Sequence, residues 1–256
     1  MDKAQQTKDA REIIVAKFMS NVKGKTPDTA QSNIKHCGKA GHWLETQMGI
    51  IHNASNSPDL NGYEMKNDTT SKTTFGDWSA DYYVFRDKRI GISRDDFLRI
   101  FGKPNASKLG RYSWSGEPCP KIGAYNKFGQ KLFVNYKKDV IALYSFRSDT
   151  RNNKTDIVPK KLQKNNLIIA KWLAPSLKSK LENKFGLLGW FKCIQDKNGV
   201  YTNIAFGEPI NFKNWIANVK KGTVFLDSGM YQGNSRNYSQ WRADNKLWED
   251  LIIKKY

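Results

Sequence analysis

Pro58-Asp59-Leu60-Asn61-Gly62-Tyr63-Glu64-Met65-Lys66 is the stretch whose reading decides the fold. A Gly-containing turn separates Asp59 from a short segment whose flanking Tyr63 and Met65 suit a buried strand. Side chains alternate along a strand, so Glu64 and Lys66 project from one face. The turn can swing the Asp59 carboxylate back toward them. Two carboxylates and an ammonium at one spot suit a Mg²⁺-assisted attack of water on a phosphodiester. Carboxylate oxygens hold the hard cation, the cation polarises the phosphoryl group, and the lysine stabilises charge or positions the water. Taken alone, the same residues also describe a solvated strand edge beside a turn. The rest of the chain decides between the two.

The chain has 256 residues, with 43 Lys+Arg against 24 Asp+Glu and a formal net charge of +19. Such an excess repels itself and calls for a polyanionic partner, nucleic acid first and an anionic membrane surface second. The basic residues are spread along the chain, which favours a folded surface that clamps its partner. Hydrophobic residues make up 39% and aromatics 12%. That supports a core and either one large domain or two interlocked lobes. No run approaches the length of a transmembrane helix, and the N-terminus lacks the apolar stretch of a signal peptide. Three cysteines, Cys37, Cys119 and Cys193, stand at wide spacings. An odd count argues against a disulfide framework, so a cytoplasmic protein is expected.

Apolar spacing over Asp9–Met19, with Ile13, Ile14, Ala16, Phe18 and Met19, predicts a helix. A second helix is expected over Gly41–Ile50, packing through Trp43, Leu44, Gln47 and Met48. A strand is expected over Gly62–Lys66, another over Phe75–Arg86, and a short helix over Arg94–Phe101. Pro104–Gln130 reads as a long loop, a length that is usually functional or disordered. Lys131–Arg147 reads as a hairpin turning at Lys138-Asp139. Leu167–Phe185 reads as mixed strand and helix. Lys197-Asn198-Gly199 marks a second hairpin. A helix over Asn211–Lys220 stops at Gly222, a strand follows over Thr223–Asp227, and a last helix is expected over Asn245–Ile253.

Upstream of the opening stretch stands Gly38-Lys39-Ala40-Gly41-His42-Trp43-Leu44-Glu45-Thr46-Gln47-Met48-Gly49-Ile50. A Gly, a helix bearing Leu-Glu and ending Met-Gly-Ile, about a dozen loop residues and then Pro-Asp-x-x-Gly-x-Glu-x-Lys together resemble the active-site half of the MutH-type enzymes. These belong to the PD-(D/E)XK nuclease superfamily and include MvaI/BcnI-like type II restriction endonucleases. The resemblance covers Lys35–Asn67 well and the C-terminal quarter weakly. It implies that Asp59 and Glu64 are Mg²⁺ ligands, that Lys66 is the catalytic lysine, and that Glu45 is the helix glutamate pointed toward the site. Without the resemblance, Glu45 reads as an exposed helix charge. Asn67 after the lysine departs from the restriction-enzyme pattern.

His36, Cys37 and His42 resemble half of a zinc knuckle, but Ile34 and Gln47 stand where the remaining cysteines would be needed, and a structural zinc site takes four ligands. His52 reads as a loop histidine. Asp227–Arg242 is the second informative segment. It packs Asn234, Arg236, Tyr238 and Arg242 among glycines and amides. Arg grips guanine bidentately and Asn pairs with adenine, whereas the same groups on phosphate only position. Trp241-Arg242 resembles the aromatic-Arg pair that follows a Gly-rich loop in the restriction enzymes of this group. The other reading is a surface loop before a strand with a packed Trp. Arg111, Tyr112, Trp114, Lys121, Tyr125 and Lys127 form a basic-aromatic loop that fits a DNA clamp or a flap with solvated lysines.

The expected fold is α/β: a restriction-endonuclease-like mixed sheet flanked by helices, with a DNA-binding cleft between two lobes. Residues 1–103 would form the catalytic lobe, and 104–256 the remaining sheet and the recognition lobe, interwoven with the first. The expected activity is Mg²⁺-dependent cleavage of double-stranded DNA at a short sequence, with a cognate DNA methyltransferase in the same system. A MutH-like nicking enzyme and a non-catalytic DNA-binding protein are the alternatives. Monomer and dimer both stay open.

Overall fold

Asn61 and Gly62 both take left-handed backbone, with φ of 46° and 82°, and so form a two-residue type I′ reversal. Leu60 and Tyr63 close it, their backbone amides and carbonyls bonding reciprocally at 3.0 and 2.8 Å. A side chain at Gly62 would also meet Leu187 and Leu188 at 3.0 and 3.2 Å. The reversal therefore fixes the start of the strand that carries Glu64 and Lys66.

The computed structural model describes residues 3–29, 38–51 and 56–256. His36, Cys37 and His52 lie outside the described residues. Along the chain come α1 (Lys3–Asn21), α2 (Lys39–Gln47), β1 (Tyr63–Asn67), β2 (Lys72–Asp77), β3 (Tyr82–Tyr83), α3 (Arg94–Phe101), β4 (Lys103–Asn105), β5 (Arg111–Trp114), β6 (Phe128–Val134) and β7 (Val140–Asp149). There follow α4 (Lys154–Ile157), β8 (Leu167–Trp172), α5 (Ala174–Phe185), β9 (Gly189–Gln195), β10 (Tyr201–Gly207), α6 (Phe212–Lys221), β11 (Val224–Ser228), β12 (Met230–Tyr231), β13 (Ser239–Asp244), α7 (Asn245–Asp250) and β14 (Ile252–Lys255). The chain divides into two units, each discontinuous in sequence: Met1–Thr73 with Lys180–Asn211 and Asn245–Tyr256, and Thr74–Ser179 with Phe212–Asp244.

The first unit is built on a mixed sheet of order β1-β9-β10-β14. β1 runs parallel to β9, with Glu64 beside Trp190 and Lys66 beside Lys192. β10 is antiparallel to both of its neighbours. Tyr63, Met65, Phe191 and Phe206 pack with Ile14 and Phe18 of α1, with Val22 just after it, with Leu44 of α2 and with Met48 at its C-cap. The buried stripe of α1 is thus Ile14-Phe18, an i, i+4 pair that Val22 continues just past the helix end. Ile13 and Met19, expected on it, are half exposed. α2 ends in a Schellman motif: Gly49 takes φ of 72°, its amide donates to Thr46, and the Ile50 amide reaches back to Glu45 at 2.8 Å. The Met-Gly-Ile ending is therefore a helix stop. On the other sheet face Trp190 meets Trp248 of α7 edge-on at 4.9 Å, and Phe185 lies 6.1 Å from Trp248. Such aromatic pairs add about 0.5–1.5 kcal/mol beyond their buried area.

The second unit holds the sheets β3-β8-β7-β6, β11-β13-β2 and β12-β5-β4. Trp241 stacks edge-on against Trp172 and Trp215 at 5.5 and 5.3 Å. Phe97 of α3 packs on Trp114 at 5.1 Å. α3 starts in a capping box between Ser93 and Asp96, the local reason that it begins where its apolar spacing does.

Three expectations are corrected. Phe75–Arg86 is not one strand: β2 stops at Asp77, and β3 is followed by a 3-10 turn over Val84–Arg86. Asp81 between them accepts from the Leu173 amide and the Ser176 hydroxyl at 2.7 and 2.6 Å, capping α5 instead of continuing a ladder. Pro104–Gln130 is not an uninterrupted loop, because β5 is paired on both sides, by β4 and by β12. The last helix stops at Asp250. The β-branched pair Ile252-Ile253 then enters β14, and Tyr256 exchanges two backbone bonds with Ile204.

Candidate active site

The reversal at Asn61-Gly62 places Asp59 opposite β1, where its Oδ2 accepts from the Met65 amide at 2.9 Å. Glu64 and Lys66 share the opposite face from Met65, and Lys66 Nζ donates to Glu64 Oε1 at 2.8 Å. Asp59, Glu64 and Lys66 are thus brought together. The structure adds a residue that the sequence reading missed. Lys184, in the last turn of α5, sets its Nζ 3.0 Å from the same Oε1. Nothing in the local sequence of Lys184 signals this, since a lysine near a helix C-terminus is explained by the helix dipole alone.

The site is dry. Glu64 is 2% exposed, and Lys66 Nζ sits 5.1 Å from the centroid of the Phe185 ring. Burial, and then the neighbouring Glu64, push the Asp59 carboxyl up to about 6. Burial lowers the Lys66 ammonium from its ordinary value, against the pull of Glu64. Glu64 Oε2 is buried with no hydrogen-bond donor facing it. An orphaned carboxylate oxygen beside a second carboxyl that resists ionisation is a donor set short of one cation. Oxygen donors of this kind fit a hard divalent ion. No group of three or more His, Cys, Asp or Glu converges among the described residues, so the protein would supply two carboxylates.

Glu45 lies on α2, and its Oε2 is 3.5 Å from His42 Nδ1. Its place beside Glu64 rests on the resemblance. Beyond the site, Asp68 pairs with Lys192 at 2.7 Å and accepts from the Gln195 amide at 3.2 Å, and Asn67 accepts from the Tyr201 hydroxyl at 2.8 Å. Asn67 is therefore a structural partner of β10. Among the described residues no helix is long and apolar enough to cross a membrane. Cys119 and Cys193 are buried and in no disulfide, and the Cys119 thiol donates to the Leu226 carbonyl at 3.3 Å.

In the second unit, the segment after β12 gathers several of the expected DNA-contacting residues. Arg111 lays its guanidinium 3.8 Å over the Tyr231 ring. The Tyr231 hydroxyl accepts from Asn234 at 3.0 Å. Asn234 in turn accepts from the Arg236 amide at 2.7 Å. Arg236 stacks over Tyr238 at 4.6 Å and pairs with Asp77 at 2.8 Å. Arg242 stands on β13, pairs with Asp227 at 3.0 Å, and faces away from the fully buried Trp241. Lys121 is exposed between β5 and β6, lining a cavity of about 440 Å³ with Glu117, Cys119 and Lys127. A further organiser was missed: Arg94 donates to Asn237 Oδ1, the Tyr231 carbonyl and the Arg236 carbonyl at 2.8, 3.0 and 2.9 Å. It sits in the first turn of α3, where the sequence shows only one more surface cation.

Comparisons with known proteins bear on the fold and the family. The solved complex of the restriction endonuclease MvaI with its cognate DNA substrate superposes with a TM-score of 0.60 at 11% identity, covering 100% of this chain and 98% of that one. That likeness shows a restriction-endonuclease-like fold. The type II restriction enzyme ScrFI of Lactococcus lactis subsp. cremoris is 48% identical over 94% of this chain and 97% of its own length. The family model of the LlaMI restriction endonuclease matches residues 22–256. The chain belongs to the LlaMI restriction endonuclease family, and it is a type II restriction endonuclease.

Proposed function

We propose that the chain hydrolyses both strands of duplex DNA at a short specific sequence, with Mg²⁺ held by Asp59 and Glu64. The observation that carries this is the unequal use of the Glu64 carboxylate: Oε1 is shared by Lys66 and Lys184, while Oε2 is buried and unpartnered, and the Asp59 carboxyl neighbours the Glu64 side chain. When bound, the divalent ion supplies Lewis-acid stabilisation of the phosphoryl charge. The residues of the chain do the rest. Lys66, held by Glu64 and desolvated, is placed to orient the attacking water and to stabilise the charge that develops on the phosphate. Lys184 holds the same Glu64 oxygen as Lys66. Burial of Glu64 and partial burial of the other three groups strengthen these interactions, because less water screens them. Glu45 would close the site from α2.

The unit carrying Asp59 does the chemistry in this reading, and the unit carrying Arg111, Lys121, Asn234, Arg236, Tyr238 and Arg242 does the reading of sequence. The net charge of +19 supplies the attraction to the phosphate backbone. A cognate DNA methyltransferase would protect the host sites. The test is a supercoiled plasmid incubated with and without Mg²⁺. Discrete fragments that need the metal support the proposal. Open circles alone indicate a nicking enzyme, and unchanged supercoils indicate a binding protein.

A further inference from the structure

The hairpin of β4 and β5 pairs Lys103 with Ser113 and Asn105 with Arg111. Its tip is closed and ordered by its own bonds. Gly110 donates its amide to the Asn105 carbonyl at 3.0 Å, and Ser107 donates its hydroxyl to Asn105 Oδ1 at 2.7 Å. At the end of this tip Leu109 is 102% exposed, and its φ is 53°. A single exposed apolar side chain is ordinary. A leucine that buries nothing and also occupies left-handed backbone is not, because Gly or Asn would sit there with less strain. Neither packing nor backbone conformation accounts for Leu109.

The neighbours indicate what it meets. Lys108 precedes it and is exposed. Arg111 follows two residues later, stacked on Tyr231, with a buried Nε that has no partner. Tyr231 belongs to β12, the other neighbour of β5, and holds Asn234. The tip is thus an apolar point between two cations, tied through one ring to the Asn234–Tyr238 segment. Proteins that enter a DNA groove combine these parts: cations take the phosphates and an apolar side chain wedges between base pairs. One leucine is too small a surface for a protein partner.

We infer that Leu109 is a DNA wedge: on binding, the β4–β5 tip enters a groove of the duplex and inserts this side chain at a base-pair step. The inference rests on the reading that the chain binds and cuts duplex DNA. It adds a specificity-determining contact, since the cost of opening a step depends on which bases are stacked there.

The test places aminopurine at successive positions of a duplex carrying the cleavage site and follows its fluorescence in Ca²⁺, where binding is expected without cutting. The wild type should raise the signal at one step. Leu109→Gly and Leu109→Asn should abolish that rise and cut about tenfold more slowly or worse, the scale of one lost groove contact. Both should melt at or above the wild-type temperature, because their backbone suits the tip. Leu109→Met keeps an apolar point and should restore the signal. The wedge is overturned if no position responds to the wild type, or if Leu109→Gly gives the same rise and rate. A wild type that neither binds nor cuts any duplex removes the functional reading itself, a distinct result.

Discussion

Lys184 Nζ lies 3.0 Å from Oε1 of Glu64, the oxygen that Lys66 Nζ holds at 2.8 Å. Two ammonium groups on one carboxylate oxygen leave the other oxygen free, and this asymmetry gives the site its direction. Lys184→Met keeps the apolar stem and removes the charge. Glu64 then loses one of its two anchors but keeps its negative charge. The single-turnover cleavage rate should fall by about 10²-fold, as when one pre-placed donor is removed from an active site, while divalent-ion affinity stays level or rises. Rapid-quench cleavage alongside metal titration reads both. Equal losses of rate and metal affinity would assign Lys184 to metal-site integrity instead.

A second expectation concerns pH. The Asp59 carboxyl is raised from the ordinary 3.8 to about 6, through burial first and Glu64 second. The folded chain thus binds this proton more tightly than the unfolded chain. Its contribution to the stability of the metal-free protein is full below 3.8 and is lost as pH rises through about 6. A divalent ion competes with the same proton. Apparent metal affinity should therefore weaken as pH falls below about 6, with proton release on binding near that pH. Calorimetric titration in buffers of different ionisation enthalpy measures it, and Asp59→Asn should remove the released proton. Binding that is flat from pH 5 to 7 would count against this assignment.

The grouping of Asp59, Glu64 and Lys66 was more legible in the sequence than the frame around it. A two-residue strand period and a turn of Asn and Gly suffice to bring Asp59, Glu64 and Lys66 together, because all three lie within one local reversal. Lys184 and Arg94 were not legible, since each works on a segment more than a hundred residues away in sequence and looks locally like a solvated cation. The strands β4, β5 and β12 were hidden for a related reason. They are short, and only their non-local pairing makes them strands. The Ile252-Ile253 pair had the β-branched signature of a strand, which the preceding helical spacing masked.

The third expectation tests the recognition segment. Arg94 holds it by three bonds to Asn237, Tyr231 and Arg236. Arg94→Met should lower discrimination between cognate and single-substituted duplexes more than it lowers non-specific binding. Arg236→Ala and Arg242→Ala should each cost ~1–3 kcal/mol on the cognate duplex for a lost base contact. Trp241→Ala removes the packing behind Arg242 and should cost ~3–5 kcal/mol of folding stability as well. Competition binding and thermal melts separate these effects. A uniform loss on every duplex would make the two arginines phosphate clamps and move base readout to the Arg111–Lys127 region.

A fourth follows from the charge. With +19 overall, non-specific affinity should drop by about 10³–10⁵ between ~50 and ~200 mM salt if roughly 6–10 phosphates are contacted. Fluorescence anisotropy across that range measures the slope. A shallow slope would mean that the excess charge has another purpose.

The central claim is that Asp59, Glu64 and Lys66 cut the DNA that the rest of the chain holds. The most direct measurement is cleavage in Mg²⁺ and binding in Ca²⁺ for the wild type, Asp59→Asn and Lys66→Ala on one cognate duplex. The expected result is binding by all three proteins and cutting by the wild type alone. Near wild-type cleavage by either variant would contradict the account.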